Sequence, residues 1–423
     1  MGKNKTPAFH FQPFSRQQRR VLNWWTDASP VRDADGIIAD GAIRSGKTVA
    51  MSLSFIMWSM TRFSGENFAL CGKTVGSLRR NVVLPLKSML ASRGYTAEEH
   101  RTDNLLIISR NGRSNSYYLF GGRDERSQDL IQGITLAGLY LDEVALMPES
   151  FVNQAVGRCS VSGSKIWMNC NPSGPAHYIK KDWIDKAKEK NLLFLHFCID
   201  DNLSLSEAIK RRLRSMFAGA FYRRYILGEW AQAEGLIYDM FDPAVHVYHE
   251  DGTAKPARYW VSVDYGTQNA TCFLLWYQVG DESRCCREYY YSGRDEHKQK
   301  TDREYADILG DWLAGVRPET VVVDPSAASF IAELKRRGYH VRKARNDVLD
   351  GILFMSSLFL QRRLRIADEC KNFIEELQGY VWDAKAVERG EEKPVKIRDH
   401  ACDAGRYYCF TVVKRGNGME VLK

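Results

Sequence analysis

Short apolar runs recur through the first half of the chain, bounded by polar or glycine-containing turns and separated by segments of helical periodicity. Ile37–Asp40, Asn67–Cys71, Leu139–Leu141, Lys165–Met168 and Leu193–Phe197 read as strands, too short and too uniformly apolar for surface helices. Gly46–Met60 predicts a buried helix. Leu105–Ser109 and Tyr117–Phe120 flank Asn111-Gly112, a pair favoured in two-residue hairpin turns. Strands alternating with helices predict an α/β fold. Residues 204–230 read as one long basic helical segment, and the stretch that follows, GEWAQAEGLIYDMFDP, keeps no period. From Tyr259 a second α/β pattern begins, with WVSVDYG, TCFLLWYQV and REYYYS as strand-like runs, then a helical stretch, the strand TVVVD and further helices. The expected organisation is a first domain over 1–231, a linker over 232–256 and a second domain over 257–423.

Composition changes this picture little. The chain has 423 residues, 44% apolar and 26% charged, which is globular rather than disordered. No apolar run approaches the ~20 residues of a membrane span. The start, MGKNKTPAFHFQ, lacks the apolar core of a secretory signal. Ten cysteines are scattered without a CxxC pair, so reduced thiols are expected rather than a zinc or redox motif. Sixty Lys+Arg against 52 Asp+Glu give a formal charge of +8, which permits a polyanionic partner without requiring one. The runs Lys210–Arg214 and Lys335–Arg337 are candidate phosphate contacts; the plainer reading is a solvated helix face.

The sharpest motif is Gly41-Ala-Ile-Arg-Ser-Gly-Lys47-Thr48, a full match to G-x4-G-K-[ST] between a strand and a helix. Gly41, Ser45 and Gly46 let backbone amides wrap a phosphate at a helix N-terminus. Lys47 brings a point charge to the β/γ oxygens, and the Thr48 hydroxyl completes a Mg²⁺ shell. ATP with Mg²⁺ is therefore the expected cofactor. Asp142-Glu143, closing a later apolar strand, supplies the carboxylate for Mg²⁺ and a second to activate water. Arg44 sits inside the loop, where it is placed to stabilise transition-state charge or simply to be solvated. Asn169-Cys-Asn171-Pro172 follows another strand, and an asparagine there, Asn171 being the choice, suits sensing of the γ-phosphate. Gln17 is the candidate for reading the adenine edge, with Gln18 the rival and N-terminal packing the plain alternative. Arg158 is a candidate arginine in trans; a surface or DNA contact is the plainer reading.

A second acidic set lies downstream. Asp264 and Asp324 each end an apolar strand, so both carboxylates belong at the C-terminal edge of a sheet. Late in the chain comes Asp399-His400-Ala-Cys-Asp403; at about 100° per residue these three polar groups share one helix face, with Asp403 central. Carboxylates and an imidazole so gathered would repel or protonate unless a cation joined them. Two Mg²⁺ or Mn²⁺ ions would clamp attacking water and leaving oxygen in phosphodiester hydrolysis, and the His400 ligand favours Mn²⁺. This is the chemistry of the RNase H fold. Glu288, on REYYYS, is a further candidate ligand, a solvated edge residue being preferred.

Taken together, the P-loop, the acidic pair, NCNP, GEWAQAEGLIYDMF and the late D-H-x-x-D-A-x-R-Y resemble the large terminase subunit of tailed double-stranded DNA bacteriophages, from about Gln17 to Tyr408. The H-x-x-D ending resembles the headful-cutting Bacillus-phage lineage. The resemblance implies an N-terminal RecA/ASCE-like packaging ATPase and a C-terminal RNase H-like endonuclease. It maps Lys47 and Thr48 to the family's P-loop, Asp142 and Glu143 to its Walker B pair, and Asn169 to Pro172 to its coupling motif. Asp264, Asp324, His400 and Asp403 map to its nuclease metal ligands. It also implies double-stranded DNA, a small terminase subunit and a procapsid portal as partners, a homo-oligomeric ring on the portal, no membrane, and the host cytoplasm as location. The alternative from another class is a P-loop helicase or remodeller whose C-terminal half grips nucleic acid without cutting it. A non-catalytic scaffold and a transposase with an appended ATPase are further rivals, separable by ATP turnover and by plasmid nicking.

Overall fold

The computed structural model describes residues 9, 11–253, 256–266, 269–293, 296, 298–389 and 391–414. Chain contacts divide it into two compact units, Met1–Arg211 with Tyr222–Gln232, and Arg212–Phe221 with Ala233–Lys423.

The first unit is built on an eight-stranded sheet: β1 (Gly36–Gly41), β2 (Asn67–Gly72), β3 (Thr96–His100), β4 (Leu105–Arg110), β5 (Arg113–Gly121), β6 (Gly138–Leu141), β7 (Lys165–Asn169) and β8 (Leu192–Phe197). Its order is β3-β4-β5-β2-β6-β7-β1-β8, parallel from β5 to β8. Strand side chains alternate between faces. Ile37, Ala39, Tyr140 and Trp167 join one buried cluster, and Ile38, Leu139, Leu141 and Met168 the other. Burial on both faces explains the unbroken apolar runs. The expected hairpin is present: Arg110 pairs with Arg113, leaving Asn111 and Gly112 at φ 49° and 74°. Most important for the site, β7 lies between the P-loop strand β1 and the acidic strand β6.

Residues 204–230 do not form the single helix expected. They break into Glu207–Arg214, Gly219–Tyr222 and a wide turn over Arg223–Leu227 closed by Gly228 N–H on the Arg223 carbonyl. Gly219 at φ 50° interrupts the run. Lys210 is not a free basic residue; it pairs with Asp200 and Glu207.

The second unit contains β9 (Val247–Tyr248), β10 (Tyr259–Asp264), β11 (Ala270–Val279), β12 (Glu282–Ser292), β13 (Thr320–Val323), β14 (Val341–Lys343) and β15 (Leu364–Ala367), in the order β14-β13-β10-β11-β12-β15-β9. β10–β11–β12 are antiparallel, and β13 joins β10 in parallel. Val261, Val263, Phe273, Val321 and Val323 on one face pack on Leu309, Phe330 and Leu334. The segment expected as a linker is folded onto this unit as far as residue 248. Ile237 N–H donates to the Tyr380 carbonyl and Trp382 N–H to the Gly235 carbonyl, Tyr238 stacks on Tyr380, Tyr238 and Phe241 meet Phe359 edge to face, and β9 pairs with β15.

Candidate active sites

In the first unit the phosphate loop leaves β1 at Gly41. Its φ is 131°, and a Cβ there would lie 1.9 Å from the Phe197 carbonyl oxygen, so only glycine fits. Gly46, at φ 84°, caps the helix Lys47–Arg62. Lys47 Nζ donates to the carbonyls of Gly41 (3.0 Å) and Ala42 (2.7 Å), to Ser45 Oγ (3.2 Å) and to Asn171 Oδ1 (3.2 Å). Burial lowers Lys47 to about 8 despite acidic neighbours, Asp40 and Asp142 among them.

Asp142 and Thr48 meet where Thr48 Oγ1 donates to Asp142 Oδ1 at 3.1 Å; the same oxygen accepts from Tyr140 at 2.9 Å and Asn169 Nδ2 at 3.0 Å. Burial raises the Asp142 carboxyl, and these three donors partly offset it. Asn169 also donates to Thr48 Oγ1 (3.1 Å) and accepts the Glu143 N–H at Oδ1 (3.1 Å). Glu143 stands at φ 57°, a region that non-glycine side chains seldom occupy. The residue joining Thr48 of the P-loop, Asp142 and Glu143 is thus Asn169, at the end of the intervening strand. Asn171, the asparagine chosen from sequence, instead holds Lys47.

The remaining candidates of this site separate. Arg44 is exposed at φ 54°, its carbonyl accepting from Asn202. The Gln17 side-chain amide donates to the His196 carbonyl, and its oxygen accepts from Arg20. Gln18 is the glutamine at the loop, with Nε2 3.5 Å from the Gly46 carbonyl oxygen. Arg158 is bonded through its carbonyl to Leu136, ahead of β6, at the sheet edge opposite the phosphate loop. One group had no sequence signal: Asp40, buried at the end of β1, accepts from Trp230 Nε1 (2.7 Å) and holds His196 Nδ1 at 2.8 Å.

In the second unit Asp264 ends β10 and Asp324 follows β13. The strands are adjacent and parallel, with Val263 beside Val323, so both carboxylates reach one edge. The helix His400–Tyr408 packs against both strands. His400 Nδ1 lies 2.9 Å from Asp264 Oδ2; an ionised carboxylate only accepts, so Nδ1–H donates to it, and although burial lowers the imidazole pKa, Asp264 raises it above its ordinary value. Burial, with Asp403 and Asp324 alongside, raises Asp264 to about 6 despite that bond. Burial would raise Asp324 as well, but donors from Tyr407 (2.6 Å) and the Ser326 amide (2.7 Å) prevail and hold it low. Asp403, expected as the central ligand, is ion-paired through both carboxylate oxygens. Its Oδ2 is 2.9 Å from Lys396 and its Oδ1 2.9 Å from Arg406, while Lys396 also reaches Asp399 at 2.8 Å.

The donor chemistry suits Mg²⁺ or Mn²⁺, being carboxylate-rich with one imidazole, and a carboxyl raised by burial, with like charges adding to it, is what a bound cation would relieve. Among the described residues no three such side chains already form a coordination shell; Lys396 and Arg406 stand as counter-ions. Glu288 is not the solvated edge residue preferred from sequence: its carboxylate caps the helix Lys371–Gly379. The run Lys335–Arg337 is largely neutralised within the unit, Arg336 pairing with Glu333 and Arg337 with Glu333 and Asp307.

Fold and sites together define a class, a P-loop ATPase domain and an RNase H-like nuclease domain on one chain. Residues 38–243 match the family described as "Terminase large subunit, T4likevirus-type, N-terminal", and residues 262–410 match "Terminase RNaseH-like domain". The chain belongs to the terminase large-subunit family. It is 55% identical to the large terminase of a thermophilic bacteriophage, over 95% of this chain and 100% of that one, with a TM-score of 0.91. Against the same phage's large terminase in complex with ATP-gamma-S the values are 53%, the same coverage, and 0.88. The large terminase subunit of Escherichia phage T5 is 24% identical over 207 residues; the chain spans 45% of that relative's length.

Proposed function

We propose that this chain hydrolyses ATP in its first unit to drive double-stranded DNA into a procapsid, and cuts concatemeric DNA in its second. The observation that carries the reading is the presence of two separate constellations on one chain. Thr48, Asp142, Glu143 and Lys47 meet through Asn169 and Asn171, and Asp264, Asp324, His400 and Asp403 gather at one sheet edge. Lys47 would hold the β/γ-phosphates, Thr48 and Asp142 the Mg²⁺ of ATP, Glu143 the attacking water, and Arg44 or a neighbour's Arg158 the developing charge. Asp264, Asp324, His400 and Asp403 would hold two divalent ions, Mn²⁺ or Mg²⁺. When bound, such ions activate water and stabilise the leaving oxygen. Asp264 orients the His400 ring, and Arg406 and Lys396 hold the Asp403 carboxylate in place.

A small terminase subunit, the portal and a ring of copies on it complete the proposal, in the host cytoplasm. No helix among the described residues is long and apolar enough to cross a membrane. The RNase H-like match disfavours a helicase that only grips DNA. Plasmid digestion with Mn²⁺, Mg²⁺ or EDTA, run beside ATP hydrolysis, tests the reading. Metal-dependent cutting together with ATP turnover is expected; turnover with no cutting in any metal would return the helicase reading.

A further inference from the structure

Two helices of the second unit start without a capping side chain of their own. Lys371–Gly379 follows Cys370 and His400–Tyr408 follows Asp399, and neither side chain bonds its helix's first amides. Those amides need acceptors where the helix end is buried. Glu288 serves the first helix: Oε1 accepts from Asn372 N (3.1 Å) and Nδ2 (2.7 Å), and Oε2 from Phe373 N (2.7 Å). Glu376, on that helix, serves the second: Oε2 accepts from Ala401 N (2.7 Å) and Cys402 N (2.9 Å). Its Oε1 takes the Tyr290 hydroxyl at 3.0 Å, and the residue is 5% exposed.

The sheet register explains why these groups meet. Asp264 stands opposite Cys272, Cys272 opposite Tyr290, and Leu274 opposite Glu288. Opposed residues share a face, as do residues two apart. Asp264, Tyr290 and Glu288 are therefore on one face of the sheet. A local Ser or Asp cap would satisfy the amides without burying two carboxylates, which is unfavourable in itself. What a carboxylate from another element adds is position: it fixes the helix start against the strand that carries it.

We propose that Glu288 and Glu376 form a two-step relay, strand to helix to helix, that positions His400 and Asp403 against Asp264 and Asp324, making Glu376 a positioning residue for the nuclease metals. This rests on the metal-site reading of the second unit.

The test is calorimetric titration of the nucleotide-free full chain with Mn²⁺, with Asp264→Asn as the reference that marks the nuclease-site isotherm. Glu376→Ala is expected to weaken that isotherm by ~10–100-fold, the range for partners that orient metal ligands. Glu376→Gln, which keeps an acceptor oxygen, should lose less, and Glu288→Gln should shift the same way. A variant matched in melting temperature, such as Phe330→Leu in the opposite-face core, should bind as wild type. Wild-type affinity in folded Glu376→Ala would overturn the relay, as would an equal loss in Phe330→Leu. Should Glu376→Ala fail to fold, unchanged affinity in Glu376→Gln would do the same. No wild-type isotherm removed by Asp264→Asn would overturn the metal-site reading, and the relay with it.

Discussion

Asn169→Ala removes three hydrogen bonds at once, two donated to Thr48 Oγ1 and Asp142 Oδ1 and one accepted from the Glu143 amide. Asp142 loses one of three donors, a charge-assisted bond worth about 1.5–3 kcal/mol. The Glu143 N–H loses its acceptor, which costs about 1–3 kcal/mol where water cannot replace it. Glu143 also sits at φ 57°, a conformation costing about 1–2 kcal/mol that the Asn169 bond helps to hold. Freed from it, Glu143 relaxes toward ordinary backbone angles and its carboxylate moves. A misplacement of about 1 Å is enough for a ~10²-fold loss in rate. The acceptors of Lys47 are the Gly41 and Ala42 carbonyls, Ser45 and Asn171, none of which is altered. Steady-state ATPase should therefore show kcat down ~10²-fold while ATP affinity, measured by nucleotide titration, changes far less. Asn169→Asp keeps the acceptor but sets a carboxylate against Asp142, and should be at least as inactive. Wild-type kcat in Asn169→Ala, or a loss wholly in affinity, would refute the reasoning.

Gly405→Ala places a Cβ 2.5 Å from Phe373 Cζ and 3.3 Å from Met355 Cε; overpacking of this kind costs about 1–3 kcal/mol, readable by urea denaturation, and an unchanged midpoint would contradict the packing. Asp264 is held at about 6 against about 3.9 in an unfolded chain, so in EDTA the native state binds the extra proton between those values. Stability should then fall as pH rises from about 4 to 6, by up to ~3 kcal/mol, and Asp264→Asn should lose that component; equal pH profiles would contradict it. A fragment beginning at 233 should outlast one beginning at 257 in urea, because the shorter lacks β9 and the buried Ile237, Tyr238 and Phe241, each worth about 1.5–3 kcal/mol; equal midpoints would show those contacts to be idle.

Much of this was legible in the chain because the decisive signals are local. The strand–G-x4-GKT–helix unit and the two strand-ending aspartates declare themselves within a few residues. What stayed hidden depends on strand order and on partners far away in sequence. Choosing between Asn169 and Asn171 requires knowing that β7 inserts between β1 and β6 and ends at Asn169. Glu288 reads as an edge residue until the helix starting at Lys371 is seen to end on it. Asp403 is central on its helix face, as its spacing indicates, yet spacing cannot show that Lys396 and Arg406 fill its oxygens. The basic helix expected over 204–230 stops at Arg214, and a separate short helix starts at Gly219 with a left-handed φ of 50°, which no periodicity reveals. The runs beginning at Lys210 and Lys335 are candidate phosphate contacts in the sequence, but Lys210 is already paired with Asp200 and Glu207, and Arg336 and Arg337 with Glu333 and Asp307.

The central claim is that one chain carries two chemically independent sites. Parallel assay of ATP hydrolysis and of Mn²⁺-dependent plasmid cutting on the full chain, its Glu143→Gln variant and its Asp264→Asn variant addresses it directly. Glu143→Gln should bind ATP, lose turnover and still cut plasmid; Asp264→Asn should hydrolyse ATP almost as wild type and leave plasmid intact. If either substitution, in a protein that remains folded, abolishes both activities, the two sites are not independent and the account is wrong.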